Sequence, residues 1–125
     1  MKTFRDLLIW QKAMMLVTAT YEITKKFPKD EIFGLTSQLR RCSVSIPSNI
    51  AEGFGRNSLN EISRFASISL GSLYEFQTQI EIAKNIDYIT DQQYLTLNHT
   101  SRELEAMIAS FIRKTKNSNS QALRH

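Results

Sequence analysis

The tightest constraint in this sequence is an apolar stripe of helical period that passes straight through a proline. Leu35, Leu39, Cys42, Ile46, Ile50 and Phe54 fall on one side of a helix, and Val44 and Ala51 widen that side. Pro47 stands in the middle of the stripe. It cannot donate to the carbonyl of Ser43, and its ring crowds that carbonyl, at about 3 kcal/mol when nothing compensates. The unbroken stripe predicts one helix, kinked at Pro47. The alternative is two short helices meeting at Ile46 and Pro47, because the residue before a proline resists the helical region. Ser43, Ser45, Ser48 and Asn49 supply short hydrogen-bonding side chains within a turn of the break. With Glu52, which either pairs with Arg56 four residues on or reaches a neighbouring helix, they form the expected polar network around the kink.

The rest of the chain reads as three further helices. Thr3 can cap the first, Asp6 suits its positive end, and Trp10, Ala13, Met14, Val17 and Tyr21 mark its core face. Lys25 and Lys26 suit its last turn, and Pro28 ends it. Ser58 with Glu61 opens a capping box for the third helix, whose stripe is Ile62, Phe65, Ser69, Leu73, Phe76, Ile80 and Ala83. An interior glycine costs about 1 kcal/mol relative to alanine. Gly71 beside Ser72 is therefore expected at a close helix contact. Thr90 with Gln93 opens the fourth helix, where Tyr94, Leu97, Ser101, Leu104, Ile108 and Phe111 step by three and four. Short links between such helices predict an all-α, antiparallel, up-and-down four-helix bundle over residues 1–116, and residues 117–125 read as a disordered polar and basic tail.

The formal charge of +4 changes meaning once it is mapped. From Arg113 onward there are four bases and no acid, so the body before it is neutral. Within the body, residues 1–57 hold nine bases against five acids, a balance of +4, and residues 58–112 hold three against seven, a balance of −4. The bundle is electrically two-sided. A single cysteine, Cys42, excludes an internal disulfide and reads as a small core residue in a reducing compartment. The first twelve residues hold only four apolar residues in succession, neither a signal peptide nor a membrane span, and a cytoplasmic protein is the expectation.

Reactive chemistry finds little to work with. His99 lies off the fourth helix's stripe and His125 is terminal, so a histidine base has no fixed partner. No carboxylate and histidine stand three apart in a helix, no paired thiols occur, and Glu52-Gly53-Phe54-Gly55 lacks the ending of a phosphate loop. No cofactor, metal site or small-molecule substrate is expected, and no catalysis. Arg40 and Arg41 are adjacent on a helix whose other faces are apolar or small, so at least one meets a salt bridge, an interface or a phosphate.

Several blocks carry a resemblance: Phe4-Arg5-Asp6-Leu7, Trp10-Gln11-Lys12-Ala13, Phe27-Pro28, Phe33 to Arg41, Ser45 to Arg56, Arg64-Phe65 and Leu70 to Glu75. In that order they resemble the four-helix bundle proteins of the 23S rRNA intervening-sequence family. The resemblance implies a bacterial bundle assembled as a homopentamer, with some members encoded inside insertions in ribosomal RNA genes. A related bundle is the accessory protein of diversity-generating retroelements, a basic pentameric barrel that binds nucleic acid and a reverse transcriptase. The neutral body here departs from that protein. On this basis the chain is expected to be a non-catalytic oligomer that binds RNA or DNA, with Arg40, Arg41, Arg56 and Arg64 as the nucleic-acid contacts. The alternative is a protein-protein scaffold that binds no nucleic acid.

Overall fold

Thr3 caps the first turn, but that turn is short. Its hydroxyl accepts from the Arg5 amide at 3.1 Å while the Asp6 carboxylate accepts from the amides of Lys2 and Thr3, a reciprocal cap on a 3₁₀ turn at Phe4–Asp6. Those two amides hold the Asp6 carboxyl below its ordinary value of 3.8. Leu7 is extended, so the first α-helix begins only at Leu8. The computed structural model describes residues 2–124, with side chains as far as residue 118. It contains helices α1 (Leu8–Thr24), α2 (Leu35–Phe54), α3 (Leu59–Asn85) and α4 (Asp91–Arg124), and no strand among the described residues.

α2 is one helix on both sides of Pro47, so the alternative of two short helices is set aside. Its central stripe goes inward, with Leu39, Cys42, Ile46, Pro47 and Ile50 buried, but Val44, expected to widen that side, is 39% exposed. Gly34 precedes it without a side-chain cap. The Glu31 carboxylate takes the Leu35 amide at 3.2 Å instead, and a Cβ on Gly34 would run into that carboxylate. Across α2 and α3, Cys42 meets Gln79, Ser45 meets Ser72, Ser69 meets the Ile46 carbonyl, and Gly53 lies against Ile62 and Phe65. Numbers rise on one helix as they fall on the other, so the two run in opposite directions. Gln77 with Glu105 and Glu81 with Tyr94 give the same register between α3 and α4.

Three expectations are corrected. The core face of α1 is Ile9, Ala13, Leu16, Thr20 and Thr24, one step round from the stripe through Trp10, Met14, Val17 and Tyr21. Two threonines sit inward because each hydroxyl donates to the carbonyl four residues back at 2.7 Å, which removes the penalty of burying it. Met14 and Tyr21 are left about two-fifths exposed. Of the Gly71–Ser72 pair expected at a close helix contact, Ser72 meets α2 through its 2.8 Å hydrogen bond with Ser45, whereas a Cβ on Gly71 would meet nothing within 4 Å; the glycine in close approach is Gly53, where a Cβ would stand 2.8 Å from the Phe65 Cβ. Finally, α4 runs on to Arg124 through most of the segment read as a tail. Nothing after Gly71 is Gly or Pro, so its backbone meets no helix breaker. Among its described side chains Thr115 is the last that is buried, and Lys116, Asn117 and Ser118 are exposed. Met1 and His125 lie outside the described residues.

The caps differ in completeness. At α4, Thr90 and Gln93 exchange both hydrogen bonds, at 2.8 and 3.0 Å. At α3, Ser58 accepts the Glu61 amide at 3.4 Å while the Glu61 carboxylate turns away to Arg64. Asn57 and Asp87, at φ 57° and 63°, supply the left-handed residues that stop α2 and α3.

Candidate functional site

Of the four arginines expected at a nucleic-acid surface, Arg56 and Arg64 are brought together over one ring, while Arg40 and Arg41 are engaged differently. Arg40 is half-buried: its Nε donates to Thr24 Oγ1 at 2.9 Å and its guanidinium lies 4.7 Å from the centre of the Tyr21 ring, so it fastens α2 to α1. Arg56 and Arg64 both stand over Phe65, at 5.2 and 4.5 Å. Each also has its own carboxylate, Arg56 with Glu52 at 2.6 Å and Arg64 with Glu61 at 2.7 Å. These exposed pairs are worth at most about 1 kcal/mol, but they cancel the charge a phosphate would need. Arg41 is different. It is exposed at the rim between two grooves and has no ion pair among the described residues.

The groove between α2 and α3, about 360 Å³, is lined by Gln38, Arg41, Cys42, Ser45, Ser72, Glu75 and Gln79. Here polar side chains of α2, Gln38, Arg41 and Ser45, meet Ser72, Glu75 and Gln79 of α3. The thiol of Cys42 donates to the Leu39 carbonyl and reaches Gln79, and burial, reinforced by the Glu75 charge, pushes it up to about 12. A thiol so held stays protonated at neutral pH and is a poor nucleophile.

Around Pro47 the expected donors are present and each is engaged. Ser48 donates to the Val44 carbonyl at 2.8 Å, Asn49 to the carbonyl and hydroxyl of Ser45 at 2.8 and 2.9 Å, and Ser43 to the Arg40 carbonyl at 2.9 Å. The Ser45 hydroxyl shares a hydrogen bond with Ser72 at 2.8 Å, and Ser69 reaches the Ile46 carbonyl from α3. Three consecutive carbonyls before the proline thus receive side-chain donors. Glu52 stays on its own helix, paired with Arg56. Every buried side-chain polar atom among the described residues has a partner. The network belongs to the helix junction and offers no unfilled donor or acceptor to a ligand.

His99 is exposed, 3.3 Å from Glu103, which also forms an ion pair with Lys12 at 3.4 Å. Among the described residues no three His, Cys, Asp or Glu side chains converge as a metal would need, and no helix is long and apolar enough to cross a membrane. The sequence reading gave no role to Phe33, which is 94% exposed, and it noted the acid-free run of Arg113, Lys114 and Lys116 without offering those cations as contacts; all three are exposed on the outer stretch of α4. Both were legible, Phe33 as an aromatic in a charged link and the cations as a run without acids.

The fold and these surfaces define a four-helix bundle whose distinctive features are charged and aromatic surfaces. The chain belongs to the 23S rRNA-intervening sequence protein family, whose model matches residues 5–110. A similar fold occurs in the crystal structure of a protein of unknown function of the S23 ribosomal protein family from Bacteroides thetaiotaomicron. The TM-score is 0.78 at 24% identity, covering 84% of this chain and 98% of that one. No curated protein matches the sequence.

Proposed function

We propose that this chain is a non-catalytic, cytoplasmic bundle protein that assembles with copies of itself, as the resemblance implies, and acts by binding nucleic acid. The family's name, which refers to 23S rRNA, favours RNA. One observation carries the reading. Arg40, Arg56 and Arg64 are engaged within the chain, whereas Arg41 and the exposed run Arg113, Lys114 and Lys116 have no carboxylate partner among the described residues. Phosphate contact therefore falls to Arg41 and the outer part of α4, where no acid follows Arg113.

The test is binding to a structured RNA at low and high salt. Each phosphate neutralised releases counterions, so contacts from Arg113, Lys114 and Lys116 give a log-log slope of about −2 to −3 per chain. Changing all three to Glu should remove most of that slope without unfolding the bundle, because all three are exposed. Arg41→Ala should weaken binding with no loss of stability. A salt-independent affinity, or one that the triple variant leaves unchanged, overturns the reading. The scaffold reading has its own support in Phe33, an exposed aromatic that suits a protein partner.

A further inference from the structure

We infer that the cleft between the end of α1 and the start of α2 binds a phosphate monoester, held by Thr36, Ser37, Arg40 and Arg41. The site stands apart from the RNA reading above, which needs only the internal phosphates of a strand. Thr36 carries the inference. The residue is 3% exposed, yet its hydroxyl makes no hydrogen bond with any described residue. Every fully sealed side-chain polar atom among the described residues has a partner, so this hydroxyl opens into the grooves that Thr36 lines. A nearly buried polar group without a partner in the chain calls for one from outside.

The groove around it, about 360 Å³, is lined by donors and by no carboxylate. Ser37 and Tyr21 add hydroxyls that also lack hydrogen bonds to described residues, and Arg40 and Arg41 add guanidiniums. Arg40 uses its Nε on Thr24 and one face on Tyr21, and neither arginine has an ion pair among the described residues. The acids nearby do not compete. Glu22 pairs with Lys25, Glu31 accepts from Leu35 and Tyr88, and Asp30 lines neither groove. Glu75 shares the α2–α3 groove with Arg41 but forms no ion pair with it.

The donor set selects the anion. A carboxylate offers two oxygens and a strand phosphate two unesterified ones, whereas a monoester presents three and carries about −1.5 to −2 at neutral pH. Two guanidinium forks and two hydroxyls within adjacent turns of one helix match the larger set. Thr36 and Ser37 also lie in the first turn of α2, where the helix dipole favours the same sign. The organic part of the ester has a place next door. Ile32, Thr36 and Arg40 line a second groove as well, of about 440 Å³, to which Phe27 and Pro28 give apolar walls and Lys29 a further cation.

The experiment is calorimetric titration of the full chain with inorganic phosphate, adenosine 5′-monophosphate, adenosine and dimethyl phosphate. The first two should bind, and the last two should be weaker by about tenfold or more, since each loses charged hydrogen bonds. Thr36→Val deletes the hydroxyl at nearly constant shape and breaks no bond within the chain. It should keep the thermal midpoint and weaken phosphate binding by about tenfold. Ser37→Ala, at a half-buried position, takes its place if Thr36→Val misfolds. Short RNAs ending in a 5′-phosphate or a 5′-hydroxyl identify the source of the ligand. A preference for the phosphate end that Thr36→Val abolishes assigns the site to a strand terminus, and nucleotide binding without that preference assigns it to a free ester. Failure of both inorganic phosphate and the nucleotide to bind, equal binding of dimethyl phosphate, or unchanged affinity in a folded Thr36→Val overturns the site. Nucleotide binding by a chain with no salt-dependent RNA affinity would overturn the RNA reading and leave this site standing.

Discussion

Ser69 on α3 donates its hydroxyl hydrogen to the carbonyl of Ile46, the residue before Pro47, over 2.8 Å, with both residues fully buried. Proline deprives its own helix of one amide donor, and here the neighbouring helix supplies a donor one turn away. Ser69→Ala removes that donor without adding volume and should lower stability by about 1 kcal/mol. In a chain of this size the thermal midpoint should fall by about 4 °C. In a double-mutant cycle with Pro47→Ala the effects should be non-additive, because the two side chains serve one turn of α2. Additive effects would mean that Ser69 acts independently of the proline.

The two helix-interior glycines should respond with opposite signs. A methyl group on Gly53 would stand 2.8 Å from the Phe65 Cβ and 3.4 Å from the Ile62 backbone, so Gly53→Ala must push α2 and α3 apart. Overpacking of this kind costs about 1–3 kcal/mol, more than the better helix propensity of alanine returns. Gly71 has open space where the Cβ would go, so Gly71→Ala should stabilise by up to about 1 kcal/mol. Denaturant titration of the two variants checks both signs.

How much was legible follows from what a pattern of apolar residues can encode. The stripes of α2 and α4 are nearly continuous in Leu, Ile and Phe, and they go inward as read, from Leu39 to Ile50 and from Leu97 to Ile108. The face of α1 was misplaced because Thr20 and Thr24 are buried by bonding their own backbone, which a hydropathy pattern counts as polar. The close contact was assigned to Gly71 by propensity, yet which glycine meets a neighbour depends on interhelical register, fixed only once Ser45 and Ser72 are paired. At the candidate site the identity of the arginines was visible. Their engagement was legible only in part: Arg56 with Glu52 is a local pair four residues apart, whereas Arg40 on Thr24 bridges two helices.

Cys42 offers a test of the α2–α3 packing. Its thiol is pushed up from 9.0 to about 12 by burial and by the charge of Glu75. A thiol reagent at pH 8 should therefore label the native chain slowly and the unfolded chain at the ordinary rate. The linkage has a definite sign. The folded value lies above the unfolded one, so the stabilisation is complete below about pH 9 and is lost as pH rises towards 12. Cys42→Ala should flatten that alkaline decline. Rapid labelling of the native chain would show that the α2–α3 groove opens.

The last prediction concerns the end of the bundle where two connections meet. The Glu31 carboxylate accepts the Tyr88 hydroxyl at 2.8 Å with one oxygen and the Leu35 amide at 3.2 Å with the other, while the Phe27 and Tyr88 rings lie 5.3 Å apart. One side chain from the α1–α2 link thus caps α2 and holds the turn after α3. Its hydrogen bond raises Tyr88 above the ordinary value of 10.0, an effect reinforced by desolvation and by the nearby acids. A raised folded value means that this stabilisation is present below pH 10 and disappears as pH climbs through the folded value. Tyr88→Phe should lower the midpoint at neutral pH and give a flatter curve above pH 10. Tyr94 is raised as well, by desolvation first and then Glu81, so Tyr94→Phe is the control that separates the two contributions. Glu31→Ala loses the α2 cap as well as the tyrosine contact and should be the more damaging change, by about 1 kcal/mol for the cap alone. Equal effects of Glu31→Ala and Tyr88→Phe at pH 7 would mean that the Leu35 amide is satisfied without Glu31.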